Sequence, residues 1–169
     1  GQFRVPMRDG FSYSQVGMPV FHVMGNHDCT FYNSKYPLYP DAYNSTYNIA
    51  AQRQHEEVFG PVNYSFNRGD VHIIGMRNII YTSNTSQSMK LGFLDSQLEW
   101  LKQDLKYIPH DYTIYICGHA NLWKKPGDDP NASFGKYNVN YKEYTELIKP
   151  YKRVYSWSGH YHVNYEFEY

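Results

Sequence analysis

Apolar residues fall along this chain in short bursts separated by polar, glycine-rich stretches. Met18-Pro19-Val20-Phe21-His22-Val23-Met24 is a mostly apolar run bounded by Gly17 and Gly25. Its length and β-branched content predict a buried strand. Tyr64 to Met76 reads as a hairpin turning near Arg68-Gly69-Asp70. Ser96 to Tyr107 predicts a helix. Leu94, Leu98, Leu101 and Leu105 recur at spacings of four, three and four and line one stripe. Ser96 and Glu99 fit a capping box at its start, and Pro109 prevents its continuation. Tyr112 to Cys117 predicts a second buried strand, Tyr141 to Ile148 a helix ended at Lys149-Pro150, and Arg153 to Ser158 a third strand. A helix over residues 48–59, stopped by Gly60-Pro61, and a terminal strand over 163–169 complete the pattern. Residues 32–47 and 124–138 read as long loops, and 1–17 as a ragged start. This alternation of strands and helices predicts a mixed α/β domain.

Composition narrows the picture. Leu, Ile, Val and Phe number 36 of 169 residues, a low share that 19 Tyr and 3 Trp offset with large buried area. Lys plus Arg equals Asp plus Glu at 16 each. Zero net charge argues against a polybasic nucleic-acid or membrane-surface protein. No apolar run approaches the ~18–20 residues of a membrane span. The many Tyr and Asn lean towards an extracytoplasmic setting, periplasmic or secreted. Two cysteines, Cys29 and Cys117, make no disulfide framework and read as thiols. Arg68-Gly69-Asp70 is also an adhesion tripeptide, but its place at a hairpin tip is the simpler reading. His22 reads as a packing residue and His55 as solvated on a polar helix, while no motif surrounds His72.

The chemistry lies at the strand ends. The three buried strands run into Gly25-Asn26-His27-Asp28, Gly118-His119 and Gly159-His160-Tyr161-His162. Ligands in α/β sheets bind beyond the carboxyl ends of strands. A glycine there permits a sharp turn and a close approach. Imidazole nitrogens suit transition ions, and the amide oxygen of Asn suits harder ones. If the strands lie side by side, Asn26, His119, His160 and His162 converge on one spot. On an extended segment His160 and His162 share a face, whereas on a turn they reach two neighbouring ions.

At these motifs the chain resembles the calcineurin-like metallophosphoesterase superfamily. Phe59-Gly60-Pro61 before the hairpin and Gly92-Phe93-Leu94 before Gln97-Leu98-Glu99-Trp100-Leu101 add to the likeness, which spans Pro19 to His162. The resemblance implies part of a four-layer αββα sandwich of mixed sheets flanked by helices. It implies hydrolysis of a phosphate mono- or diester by a metal-bound hydroxide, with two divalent or trivalent transition ions of the Mn, Fe or Zn type. It places Asn26, His119 and His160 on one ion and His162 on the other. His27 stands beside the substrate phosphate as acid or charge stabiliser, and Asp28 orients His27.

The family also carries an Asp-x-His and a Gly-Asp motif before Gly-Asn-His-Asp. Here only Asp9 is acidic before Gly25, and it fits neither. Residues 18–169 therefore read as the C-terminal portion of the catalytic domain. The chain is expected to hold at most one ion, weakly, and to be weakly active or inactive. Its exposed sheet edge is expected to favour self-association. The partner expected is a phosphorylated substrate of open class, with no nucleic acid and no membrane span. The alternative is a non-catalytic binding module that keeps the phosphoesterase fold.

Overall fold

The computed structural model describes residues 17–26, 28, 52–53, 55–81, 89–122, 140–162, 166 and 168. Strands β1 (Asn63–Arg68) and β2 (Val71–Met76) form the expected antiparallel hairpin. Its turn relies on Gly69 at φ 63°, a left-handed conformation that glycine adopts without steric cost. β5 (Thr113–Cys117) pairs parallel to β2, and β6 (Arg153–Trp157) pairs parallel to β5. The result is a mixed four-stranded sheet of order β1-β2-β5-β6. Helix α1 (Asp95–Leu105) lies in the crossover from β2 to β5, and α2 (Tyr141–Ile148) in that from β5 to β6.

Both helices cover the same sheet face. Ile74, Met76, Ile114 and Ile116 project from the central strands into one cluster with Leu101, Leu105, Tyr144 and Ile148. Each such side chain contributes about 1.5–3 kcal/mol by leaving water. Polar latches fix the helices to the sheet. Gln97 is buried on α1. Its Nε2 donates to Asn63 Oδ1 (2.6 Å) and Arg77 O (2.7 Å), and its Oε1 accepts from Leu94 N (2.9 Å). Leu94 is thus the N-cap rather than Ser96, and being 42% exposed it lies off the buried stripe. Asn140 clasps Phe93 through two backbone hydrogen bonds and ties the start of α2 to the approach to α1.

Several expectations need correction. Residues 19–25 form no strand; the run has no regular secondary structure and is exposed up to Phe21, which stacks on Phe66 at 4.4 Å. Apolar content alone does not make a strand, because the backbone needs a ladder partner. His55 is buried, 3% exposed, in a helical stretch over 55–59, and packs on Phe59 at 5.0 Å. His22 packs on the same ring at 4.4 Å, as expected. His72 is clamped between Asn67 and Asp104. An unforeseen antiparallel pair, β3 (Ile79–Tyr81) with β4 (Met89–Leu91), forms a second small sheet. The two long loops, residues 48–51 of the first predicted helix and most of the terminal strand lie outside the described residues. Among the described residues no helix is long and apolar enough to cross a membrane.

Candidate metal centre

β5 and β6 run parallel with Cys117 level with Trp157, so both strands release the chain at the same edge. Two hydrogen bonds hold the exits together: Gly118 N donates to Trp157 O (3.1 Å) and Gly159 N to His119 O (2.9 Å). His119 and His160 therefore emerge side by side. Their rings meet edge to face, 5.0 Å between centroids and 74° between planes. Asn26 arrives from the irregular segment that precedes it. Its Oδ1 lies 2.8 Å from His119 Nε2, and His160 Nδ1 lies 3.1 Å from the same nitrogen.

One ring nitrogen carries either a proton or a lone pair, so it cannot bond well to an oxygen and a second imidazole nitrogen together. Three electron-pair donors crowd a point with about 3 Å between neighbours. That is the spacing of ligands set roughly at right angles around a cation with bonds of ~2.0–2.2 Å. One amide oxygen and two imidazoles form a donor set that suits Mn, Fe or Zn. Among the described residues no group of three or more His, Cys, Asp and Glu gathers to hold an ion, and this site brings only two histidines and an amide together.

The profile of the calcineurin-like phosphoesterases matches residues 4–164. The chain belongs to that family. No curated protein and no solved structure matches it significantly. Its mixed α/β architecture, with a four-stranded sheet flanked by helices, is consistent with the calcineurin-like fold. Calcineurin-like phosphoesterases are hydrolases of phosphoesters and generally use divalent metals.

In this member of the family the candidate site depends on tight backbone placement. A Cβ on Gly25 would stand 2.8 Å from His119 Nδ1 and 3.0 Å from its Cε1. The imidazole lies flat where any larger residue would push it away. Asp28 closes the same turn: its Oδ2 accepts from Gly25 N (2.9 Å), and its own N–H donates to Gly25 O (3.2 Å). His27 lies outside the described residues. His160 and His162 both adopt left-handed backbone, at φ 73° and 56°. The turn geometry thus replaces the extended one, and each histidine carries about 1–2 kcal/mol of backbone strain. His160 turns towards His119, whereas His162 is exposed.

Asn78 is the positioning residue that sequence reading overlooked. It is fully buried, donates from Nδ2 to Ala120 O (2.9 Å) and accepts from Ala120 N at Oδ1 (3.0 Å). A Cβ on Gly118 would stand 3.0 Å from that amide. The signal was a lone polar residue just before the apolar pair Ile79-Ile80. Charge around the site is muted. Burial, the larger influence, pulls His22 and His55 below the ordinary imidazole range against the opposing carboxylate of Asp28. Burial also pushes the thiol of Cys117 up, which keeps this free cysteine in its neutral form.

Proposed function

We propose that this chain hydrolyses phosphate mono- or diesters with a divalent transition ion held by Asn26, His119 and His160. The supporting observation is the meeting of Asn26 Oδ1 and His160 Nδ1 on the single nitrogen His119 Nε2. All three donors are neutral, so a bound ion keeps its full charge towards an anionic phosphate. When bound, ions of this kind neutralise phosphate oxygens and acidify water. Asn26, His119 and His160 fix where the phosphate can sit. His27, next in the chain to Asn26, donates a proton to the departing alkoxide. Asp28 holds the Gly25–Asp28 turn, within which His27 follows Asn26 in the chain. His162, which the resemblance assigns to a second ion, is exposed on the next left-handed position, and this chain holds one ion at most. The donor set contains no carboxylate, which favours weak binding and slow turnover.

The test is hydrolysis of p-nitrophenyl phosphate and bis(p-nitrophenyl) phosphate in the presence of Mn2+. We expect weak activity that chelation removes and that His119→Ala abolishes. Activity unchanged in His119→Ala, or no Mn2+ uptake by calorimetry, would overturn the reading. One observation favours the non-catalytic alternative: no carboxylate joins the three neutral donors among the described residues. That alternative, a binding module that keeps the fold and has lost its metals, expects neither Mn2+ uptake nor turnover.

A further inference from the structure

A hollow of about 480 Å3 opens on the sheet face away from the helices, a size suited to a small molecule. Phe21, His22, Phe59, Tyr64 and Phe66 line it with flat rings, and none of its described lining residues is Lys, Arg, Asp or Glu. Tyr64 and Phe66 alternate along β1 with Ser65, whose hydroxyl reaches Asp104 of α1, so their rings stand on the opposite face. Their planes are 17° apart with 6.4 Å between centroids. Phe21 stacks on Phe66 at 4.4 Å and 25° and is nevertheless 56% exposed.

The hollow adjoins the candidate metal centre on two sides. His22 stands three residues before Gly25, whose backbone underlies the His119 ring, and three residues span at most about 10 Å. Tyr64 is level with Gly75 and, one strand further, with Cys117, which lies two residues before His119. A Cβ on Gly75 would collide with the Tyr64 ring, so that ring leans across β2 towards β5. From this placement we infer that the hollow is a subsite for a planar aromatic group carried by the phosphoester, a simple aryl ring or a nucleobase. The inference rests on the phosphoester reading of the adjoining centre.

The shape and charge of the walls select the occupant. An anionic phosphate belongs with the cation-holding donors Asn26, His119 and His160, and the hollow beside them offers rings without charge. Burial pushes the Tyr64 phenol up to about 12 and the His22 imidazole below its ordinary range, so both polar edges are neutral near neutral pH. Near-parallel rings present flat faces. An aromatic group stacked on them gains about 0.5–1.5 kcal/mol beyond the area it covers, whereas an alkyl chain gains the area alone. The exposed ring of Phe21 leaves water only when such a group covers it. The stacking of Phe21 on Phe66 holds part of this surface ready in advance.

The test is calorimetry of the full chain, with Mn2+ present, against 1-naphthylphosphonate and n-butylphosphonate. Neither carries a hydrolysable ester, so binding is read without turnover. We expect the naphthyl compound to bind at least about tenfold more tightly. Phe21→Leu keeps the apolar bulk and removes the flat face, and should shrink that preference about five- to tenfold; Phe21→Tyr should restore it. Circular dichroism checks that both variants fold. Adenosine 5′-monophosphate that shows the same dependence on Phe21 identifies a nucleobase site, and its weaker binding without that dependence identifies a simple aryl site. 1-Naphthol has no phosphate and reads the hollow alone through its fluorescence, in the wild type and in His119→Ala. Naphthol bound in a Phe21-dependent way while Mn2+ is refused upholds the subsite and overturns the ion reading. Equal affinity for the two phosphonates overturns the inference, as does a preference that folded Phe21→Leu leaves unchanged.

Discussion

The carboxamide of Asn78 and the backbone of Ala120, 42 residues apart in the chain, exchange two hydrogen bonds in a fully buried setting. Ala120 directly follows His119, so this clamp fixes where the imidazole leaves the backbone. Asn78→Ala strands a buried N–H and a buried C=O, at about 1–3 kcal/mol each. Together these cost about 2–6 kcal/mol, so we expect the thermal midpoint to fall by about 4–24 °C, with weaker Mn2+ uptake in the fraction that stays folded. Differential scanning fluorimetry and isothermal calorimetry read the two effects.

Gly25→Ala acts on the same imidazole directly. The added methyl would sit 2.8 Å from His119 Nδ1, closer than any stable contact. The ring must tilt, and its alignment with Asn26 and His160 goes with it. Mn2+ affinity should drop about 10–100-fold while most of the stability remains. Equal affinity in the variant, measured by calorimetry, would show that the ring position is not what holds the ion.

Asp104 joins α1 to the hairpin. Its carboxylate accepts from Ser65 Oγ (2.8 Å) and meets Nε2 of His72 (2.8 Å), a ring only 2% exposed. Asp104→Ala leaves that buried ring nitrogen without its partner and should cost about 2–4 kcal/mol. Urea unfolding would show a lower midpoint with an unchanged slope. The distance from the metal centre predicts unaltered Mn2+ affinity.

Acid should destabilise the fold before any carboxylate protonates. Burial lowers the pKa of His22 and His55 from the ordinary 6.5. The unfolded chain then binds protons near that value while the folded chain does not. Protonation therefore favours unfolding, and stability is lost as pH falls below 6.5 through the lowered values. Thermal midpoints between about pH 7.5 and 5 should decline, and less steeply in His55→Asn.

The alkaline limb has the opposite proton balance. Burial pushes the phenol of Tyr64 from 10.0 up to about 12, helped by the neighbouring Cys117, and Tyr144 and Tyr151 move the same way. The folded state holds these protons longer, so stability is complete below pH 10.0 and lost as pH rises towards about 12. Tyrosinate absorbance should lag behind that of the urea-unfolded chain. Tyr64→Phe should flatten part of this loss.

The sequence made the site more legible than its setting. Period-two and helical patterns located the hairpin, α2, β5 and β6 within a residue or so, because packing and local preference agree there. The glycine-ended strands led to Asn26, His119 and His160, which do meet. Met18 to Met24 misled because no ladder lies beside it and most of its apolar side chains stay exposed, Met24 alone being fully buried. His55 misled because its polar helical neighbours hid a burial supplied by Phe59. Asn78 was invisible, since a buried amide that satisfies another segment's backbone leaves no periodic trace. The turn at His160 and His162 was open in the sequence because left-handed histidines follow from tertiary constraint alone.

His119 is met by one partner 93 residues upstream and another 41 residues downstream. Such distant closures come late, since chain entropy must be overcome before either contact rewards it. The proposed cation-holding point would thus exist only after nearly the whole chain has found its place. A nascent or half-folded copy would offer scattered imidazoles, so capture of an ion would double as a certificate of complete assembly.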